Sequence, residues 1–127
     1  MTAIKLIQPA GQPVIGPYSP ATLSGNLVFV SGQIPRGADG KIVGDTIANA
    51  TRQALENLRA VLGAAGCSES NVVKTTVFMQ DLADFEGMNA AYAAFFGAHR
   101  PARSTVQVAK LPANARVEIE CIAVKSA

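Results

Sequence analysis

The chain has 127 residues, of which 49% are hydrophobic and only 16% are charged. This length predicts a single domain over residues 1–127, and the apolar composition excludes a disordered chain. The formal net charge is only +2 and the lysines and arginines form no cluster, which argues against nucleic acid as a partner.

Several classes of protein are excluded by what the sequence lacks. It has no apolar run of about 18 residues that would span a membrane, and residues 1–8 lack a signal-peptide core, so a cytoplasmic location is expected. Cys67 and Cys121 form no disulfide framework, which predicts free thiols. One histidine, His99, and two distant cysteines build no zinc site, and no phosphate-binding glycine loop occurs, so neither metal nor cofactor is expected.

The first half of the chain predicts three strands. Residues 4–7 form a short strand candidate, and a loop rich in proline and glycine then leads to a hairpin. Its strands are residues 21–24 and 27–31, and Gly25-Asn26 between them is expected to supply the positive φ angles of a tight turn. Residues 32–44 are predicted to form a loop.

A long helix follows this loop. Asp45 or Thr46 caps its start, and Gly66 ends it. The apolar residues repeat at helical spacing and form one stripe, which predicts a buried face. The residues of this stripe are Ile47, Ala54, Leu55, Leu58, Val61 and Leu62.

The second half adds a strand over residues 71–80, where β-branched residues are concentrated. A second helix begins at Asp84 and ends at Gly97. Strands over residues 105–110 and 116–124 complete the order βββαβαββ. The residues that the second helix is expected to bury are Phe85, Met88, Tyr92 and either Phe95 or Phe96.

This order predicts an α+β fold, a sheet with two helices. Two helices can cover only one face of such a sheet, yet residues 27–30 and 119–124 are apolar on both faces. An exposed apolar face of that size is rare on a monomer, so a closed homo-oligomer is expected.

Charged residues interrupt the last two strands. Arg103 lies at the mouth of one strand, where its forked guanidinium is suited to a carboxylate. Glu118 and Glu120 share one face of the next strand, and a half-buried glutamate exchanges protons near neutral pH. Together they suggest a site for an anionic organic acid. Two simpler alternatives stay open: Arg103 pairs with a structural carboxylate, or one glutamate is an ordinary edge charge, and spacing does not say which.

Four further polar or glycine positions are candidates for the site. Gly32 would let a ligand approach the backbone, and Ser31 would offer a hydroxyl, although a simple turn explains both. Tyr18 lies in a rigid loop and would offer a phenol, or simply pack its ring. Asn89 lies on the second helix, where it would bind a ligand or solvate the surface. A Ser-His-Asp triad would depend entirely on His99 and is disfavoured.

Nearly the whole chain resembles the Rid family, the reactive intermediate deaminases, also called YjgF-like proteins. The most specific motif is the last one, Pro101-Ala102-Arg103-Ser104 followed by Val117-Glu118-Ile119-Glu120. The other matching segments are Gly16-Pro17-Tyr18, Ser31-Gly32-Gln33-Ile34-Pro35, Val73-Lys74-Thr75-Thr76-Val77-Phe78 and Asn89-Ala90-Ala91-Tyr92.

The resemblance implies a chorismate-mutase-like mixed sheet with two helices on one face, in a homotrimer with a ligand cleft at each subunit interface. It also implies hydrolysis of 2-imino acids, formed from enamines such as 2-aminoacrylate, to 2-keto acids and ammonia. The implied partners are therefore a small imino or keto acid and two further copies of the chain. A pathway-specific deaminase, for example one acting on an aminomuconate, would carry the same motifs.

The resemblance also implies roles for individual residues. Arg103 would hold the substrate carboxylate, and Glu118, rather than Glu120, matches the family's catalytic acidic residue. Thr105 stands where archetypal members have cysteine. Its backbone N–H can still bind a ligand, but any role of a thiol at this position is lost. The remaining matches to substrate-binding positions are Tyr18, Ser31, Gly32 and Asn89.

Three other functions compete with the deaminase. An endoribonuclease or translation inhibitor would need a basic surface with aromatic residues, which the weak net charge disfavours. A non-catalytic sensor would use the Arg103 cleft to bind a keto acid. A chaperone-like protein would use its exposed apolar surface.

Overall fold

The computed structural model describes residues 3–126, which form six β-strands and two α-helices in the predicted order βββαβαββ. The strands are β1 (Ile4–Ile7), β2 (Ala21–Ser24), β3 (Leu27–Gln33), β4 (Val72–Met79), β5 (Ala102–Gln107) and β6 (Val117–Val124). The helices are α1 (Ile47–Ala64) and α2 (Phe85–Phe96). Short 3-10 turns lie at Glu69–Asn71, Leu82–Asp84 and Pro112–Asn114.

The strands form one mixed sheet in the order β1-β2-β3-β6-β4-β5. Neighbouring strands are antiparallel except β4 and β5, which are parallel. A parallel pair needs a long crossover connection, and α2 lies in it. The last strand, β6, pairs with both β3 and β4 and so lies inside the sheet. This topology confirms the predicted α+β class.

Helix α1 begins and ends close to the predicted positions. Its N-cap is Thr46, whose side-chain oxygen accepts a hydrogen bond from Asn49 N at 3.0 Å. Gly66, just beyond the helix, has a φ of +79°, a left-handed conformation that glycine adopts without steric cost. Each leucine buried by α1 contributes about 1.5–3 kcal/mol. Its buried residues are Ala50, Thr51, Ala54, Leu55, Leu58, Val61 and Leu62.

Helix α2 packs closely against the start of α1. A Cβ on Gly87 would lie 2.5 Å from Ile47 Cγ2, so only glycine allows this approach. Phe85 is 39% exposed, and its predicted burial is therefore wrong. It lies in the first turn of α2, with its ring centroid 5.7 Å from Arg103 Cζ. The residues that α2 does bury are Met88, Tyr92 and Phe96.

The two faces of the sheet differ in how they are covered. The face below the helices is fully buried, as at Val28, Val77 and Ile119. The opposite face, called here the bare face, keeps apolar side chains in solvent, with Phe29 on β3 42% exposed and Leu6 on β1 71% exposed. The predicted uncovered apolar face is confirmed, while the homo-oligomer stays a prediction.

The largest boundary error concerns β5, which occupies Ala102–Gln107 instead of residues 105–110. Its parallel ladder to β4 begins at the pair Lys74 and Ala102, immediately after Pro101, which has no N–H to donate. The ladder stops where β4 stops, at the pair Met79 and Gln107. Arg103 therefore lies within the strand, not at its mouth.

Smaller differences occur in three other strands, and one of them is β4, which is one residue shorter at each end than the predicted 71–80. β3 runs two residues further than predicted, to Gln33, and β6 begins at Val117 instead of residue 116. The hairpin between β2 and β3 is present, but of its two turn residues only Gly25 has a positive φ, +61°. Asn26 was expected to share that conformation and does not.

Candidate active site

Glu118 occupies the bare face of the sheet. It lies on β6 opposite Phe78 of β4, and it is half-buried. A Cβ on Gly32 would lie 2.6 Å from Glu118 Oε2, so the carboxylate rests directly on the backbone of Gly32. The absence of a side chain at Gly32 thus makes room for the glutamate. Both residues line a shallow cavity of about 320 Å³, together with Glu120 and Lys110.

The environment of Glu118 makes its carboxyl group harder to ionise. Burial raises the pKa of Glu118 above its ordinary value, and the charge of nearby Glu120 raises that pKa further. Glu120 itself is exposed. A carboxyl group with a raised pKa accepts and returns protons at a pH closer to neutrality, which is what acid–base chemistry requires.

Ser31 fastens the loop that carries Tyr18. Its Oγ donates a hydrogen bond to Ser19 O at 2.7 Å, and its backbone N–H donates to Pro20 O at 2.9 Å. Because the hydroxyl proton of Ser31 is used in this hydrogen bond, the hydroxyl oxygen can only accept a hydrogen bond from a ligand. Tyr18, next in the same loop, is 54% exposed.

Arg103 lies on the other side of the sheet, against α2. Its Cζ is 4.8 Å from the ring centroid of Tyr92 and 5.7 Å from that of Phe85, so the guanidinium is held on two aromatic rings. Tyr92 is fixed in turn by a 2.7 Å hydrogen bond between its hydroxyl and Thr75 Oγ1. Among residues 3–126 no carboxylate forms an ion pair with Arg103, so the alternative of a structural pair finds no support within one copy.

Asn89 and Thr105 lie on the same side as Arg103. Asn89 lines a cavity of about 300 Å³ with Arg103, and Thr105 is two residues further along β5, on the same strand face. Asn89 Oδ1 and Thr105 Oγ1 are buried without any hydrogen-bond partner among residues 3–126. Leaving such an atom unpaired costs about 1–3 kcal/mol. Because these two lie beside Arg103, they are candidates to receive a hydrogen bond from a ligand, unlike Thr51 Oγ1, which also lacks a partner among residues 3–126 but lies in the core face of α1.

The predicted site residues therefore form two groups in one copy of the chain. Arg103, Asn89 and Thr105 lie on the helix side, whereas Glu118 and Gly32 lie on the bare face. Arg103 and Glu118 therefore do not meet within one copy. They lie on opposite faces of the sheet, and β4 separates β5 from β6.

Sequence reasoning missed the aromatic support of Arg103 and the second arginine beside it. Tyr92 was expected only in the core, because helical periodicity indicates that a ring is buried but not which side chains of other elements pack on it. Arg100 also lines the Arg103 cavity, and no motif pointed to it. His99 is structural: its Nε2 lies 2.7 Å from Val72 O, which ties the segment before β5 to β4.

Other kinds of site are not found in the described part of the chain. Residues 3–126 contain no group of three histidine, cysteine or acidic side chains that could hold a metal ion. They also contain no helix that is both long and apolar enough to cross a membrane. Cys67 and Cys121 are free and buried, and burial raises the pKa of Cys121 to about 12, which makes it a poor nucleophile.

Comparison with known proteins identifies relatives along almost the whole chain. The sequence profile of the family described as Endoribonuclease L-PSP matches residues 10–125. The Escherichia coli K12 protein named 2-iminobutanoate/2-iminopropanoate deaminase is 48% identical over 115 residues, 87% of this chain and 89% of that protein. Reactive Intermediate Deaminase A, chloroplastic, of Arabidopsis thaliana is 51% identical over 112 residues, 86% of this chain and 59% of that protein.

Solved structures agree with these matches. The crystal structure of Escherichia coli TdcF with bound serine has a TM-score of 0.90 and 44% identity, covering 96% of this chain and 99% of TdcF. The fold, the profile and the sequence identities agree, and the chain belongs to the Rid family of YjgF-like proteins, as its motifs predicted.

Proposed function

We propose that the protein hydrolyses 2-imino acids, formed from enamines such as 2-aminoacrylate, to 2-keto acids and ammonia. The observation that carries the proposal is the division of the site. An arginine without a carboxylate partner among residues 3–126 lies on the helix side, and a glutamate with a raised pKa lies on the bare face. The names of the relatives supply the reaction class.

The two groups would meet between copies of the chain. A second copy packed against the bare face would cover apolar residues such as Phe29 and would bring its own Arg103 side toward Glu118. A closed ring of three such contacts is the homotrimer that the family resemblance implies. In this arrangement each site takes Glu118 and Gly32 from one copy, and Arg103, Asn89 and Thr105 from the next.

The reaction needs little more than these groups. Arg103 binds the substrate carboxylate through two parallel hydrogen bonds and so fixes the position of the C=N carbon. Glu118 takes a proton from water as the water oxygen bonds to that carbon, and it returns a proton to the nitrogen. The hydroxyl proton of this adduct then passes to the amine nitrogen as the C–N bond breaks, so that ammonia leaves and the carbonyl forms.

The size of the catalytic effect fits so sparse a site. Imines of this kind hydrolyse in water unaided, so no strong nucleophile is required. One positioned acid–base group contributes about 10²–10⁴-fold, and orientation of the substrate adds to this. The serine bound in the TdcF crystal structure supports a ligand of this class, since serine carries a carboxylate of the kind that Arg103 would bind.

The remaining predicted residues would shape the pocket. Gly32 provides space for the Glu118 carboxylate, and Ser31 holds the loop bearing Tyr18, whose ring and hydroxyl would close one side of the cleft. Asn89 Oδ1 would accept a hydrogen bond from the imine nitrogen, and the Thr105 backbone would lie beside the carboxylate. We place this chemistry in the cytoplasm, where no structural disulfide is needed.

A coupled assay tests the proposal directly. A purified amino-acid oxidase generates 2-iminopropanoate from alanine in the presence of semicarbazide, which traps free imine. An active deaminase lowers the initial rate of imine trapping, because it converts imine to keto acid first. The Arg52→Gln variant, altered at an exposed helix position, is the matched control and should behave like the unaltered protein. Trapping rates that do not change with protein concentration would refute the proposal.

The family description as an endoribonuclease supplies a second candidate. It is tested by incubating the same preparation with single-stranded RNA. Cleavage that survives Glu118→Gln, combined with no effect on imine trapping, would favour this alternative.

A further inference from the structure

A second arginine, Arg100, also lines the Arg103 cavity. The residues around the cavity, all within the described range 3–126, are Asn89, Tyr92, Ala93, Arg100, Pro101 and Arg103. A monocarboxylate needs one arginine to bind it in two parallel hydrogen bonds. The second arginine is therefore more than the proposed reaction on a simple imino acid requires.

Arg100 is held in place by the backbone that precedes β5. Its NH1 donates hydrogen bonds to Gly97 O and, at 3.3 Å, to His99 O. Gly97 ends α2, and His99 is itself tied to Val72 of β4. A guanidinium has five N–H donors, so those on Nε and NH2 have no protein partner among residues 3–126. Because only NH1 of Arg100 is bound to the backbone, its Nε and NH2 groups can donate hydrogen bonds to a ligand.

The charges of the two arginines are not balanced within the cavity. None of the residues that line it is acidic, and the ion pairs within residues 3–126 involve Arg59 and Arg116 instead. Two arginines lining one small cavity attract anions to it, and a ligand with two negative charges would pair with both. The cavity of about 300 Å³ lies at the lower end of small-molecule sites, which suits a compact ligand.

We infer that this cavity takes a compound with two carboxylates, a dicarboxylic 2-imino acid of four or five carbons and its 2-keto product. The inference rests on the proposed function and names its substrate class. Arg103 binds the carboxylate next to the imine carbon, and Arg100 binds the distal one. Asn89 Oδ1, buried and unpaired among residues 3–126, accepts the hydrogen bond from the imine N–H.

The binding arm of the test needs no turnover. Calorimetry on the assembled protein compares 2-ketoglutarate and oxaloacetate, the dicarboxylic probes, with 2-ketobutyrate, the monocarboxylic one. A second charge-assisted contact is expected to strengthen binding of a dicarboxylate about tenfold or more. Arg100→Gln should abolish this preference, Arg100→Lys should retain part of it, and the control Arg52→Gln should retain all of it.

Three results would overturn the inference. The first is equal affinity for both classes of keto acid in the unaltered protein. The second is an Arg100→Gln variant that keeps the preference for dicarboxylates. The third is a change of oligomeric state in that variant by native mass spectrometry, which would make Arg100 an interface residue paired with another copy.

A turnover arm separates this inference from the proposed function. An L-aspartate oxidase supplies 2-iminosuccinate, and the alanine system supplies 2-iminopropanoate. Hydrolysis of both with equal efficiency overturns the dicarboxylate inference and leaves the deaminase intact. Hydrolysis of neither, together with Arg100-dependent binding of dicarboxylates, refutes the deaminase and supports the cavity's ligand class.

Discussion

The two sides of the sheet hold charge in different ways. On the helix side, Arg103 lies on the rings of Tyr92 and Phe85, and Tyr92 is locked to Thr75 by a 2.7 Å hydrogen bond. On the bare face, Glu118 rests against the backbone of Gly32, with apolar side chains exposed further across the sheet. The arginine packs on aromatic side chains, whereas the glutamate packs on the backbone of a glycine.

This difference suits the two tasks proposed for the two residues. A carboxylate clamp must be rigid, because its role is to fix one end of the substrate. An acid–base group must instead have a tuned pKa, and burial beside Glu120 raises the pKa of Glu118. Covering the bare face with a second copy would complete the site, by bringing the arginine of one copy to the glutamate of the next.

Substituting Arg103 and Glu118 one at a time should give the largest losses of imine hydrolysis. Arg103→Lys keeps the charge but loses the fork, so imine hydrolysis should fall about tenfold or more. Glu118→Gln removes the acid–base group and should cost about 10²–10⁴-fold. Steady-state assays on both variants, with circular dichroism to confirm the fold, measure these losses.

Mixing the two variants shows whether the groups come from different copies. If each site takes Arg103 from one copy and Glu118 from the next, hybrids formed by denaturing and refolding the two variants together regain intact sites. Random assembly gives about one quarter of the sites both groups, so about one quarter of the original activity should return. Native mass spectrometry verifies that hybrids form. Hybrids without recovered activity would mean that these two residues do not share a site between copies.

Gly32→Ala should give the next largest effect. Its Cβ would lie 2.6 Å from Glu118 Oε2 and 2.8 Å from its Cδ, so the carboxylate must move away. A shift of about 1 Å in a reacting group costs about 10²-fold in rate, with little change in the fold. Gly63→Ala is the matched control, because a Cβ there meets nothing within 4 Å. An active Gly32→Ala variant would show that the position of Glu118 is not critical.

The sequence predicted the fold better than the geometry of the site. Alternating strands and helical stripes specify local structure, and the order βββαβαββ follows from them. They do not say which strands become neighbours. Inserting β6 between β3 and β4 depends on contacts far apart in the chain, and this insertion separates Arg103 from Glu118.

The packing of Arg103 on two aromatic rings shows a second limit of prediction from the sequence. Phe85 was expected to be buried because its spacing matches that of Met88 and Tyr92. It lies instead partly exposed in the first turn of α2, with its ring centroid 5.7 Å from Arg103 Cζ. A cation over an aromatic ring is a contact between residues on different elements, and periodicity within one helix does not reveal it.

Glu120→Gln is expected to shift pH dependence without abolishing activity. Both glutamates lie on one face of β6, and the charge of Glu120 is one cause of the raised pKa of Glu118. Hydrolysis by the ionised form rises as pH rises through that pKa. Removing the Glu120 charge lowers the pKa of Glu118, so the acid limb of kcat/KM should move to lower pH while the plateau remains. A lost plateau with an intact fold would instead assign the acid–base role to Glu120.

Thr105→Cys should have the smallest effect on imine hydrolysis. It tests whether the side chain of residue 105 takes part in the reaction. Thr105 lies on the same face of β5 as Arg103, and its Oγ1 is buried without a partner among residues 3–126. The family resemblance implies cysteine at the matching position in archetypal members, so a thiol of similar size should fit. If only the backbone N–H of this residue serves the substrate, kcat/KM should change by less than about tenfold, or 1.4 kcal/mol in barrier.

Thr105→Val separates the hydroxyl from the backbone. Valine keeps the shape but removes the unpaired Oγ1, which should leave stability equal or slightly higher because a buried unsatisfied atom is lost. Equal imine hydrolysis in the threonine, cysteine and valine forms would assign this position to its backbone. A cysteine form that is more than about tenfold faster would mean that the thiol matters, and that the natural threonine makes this chain a weakened deaminase better suited to binding a keto acid.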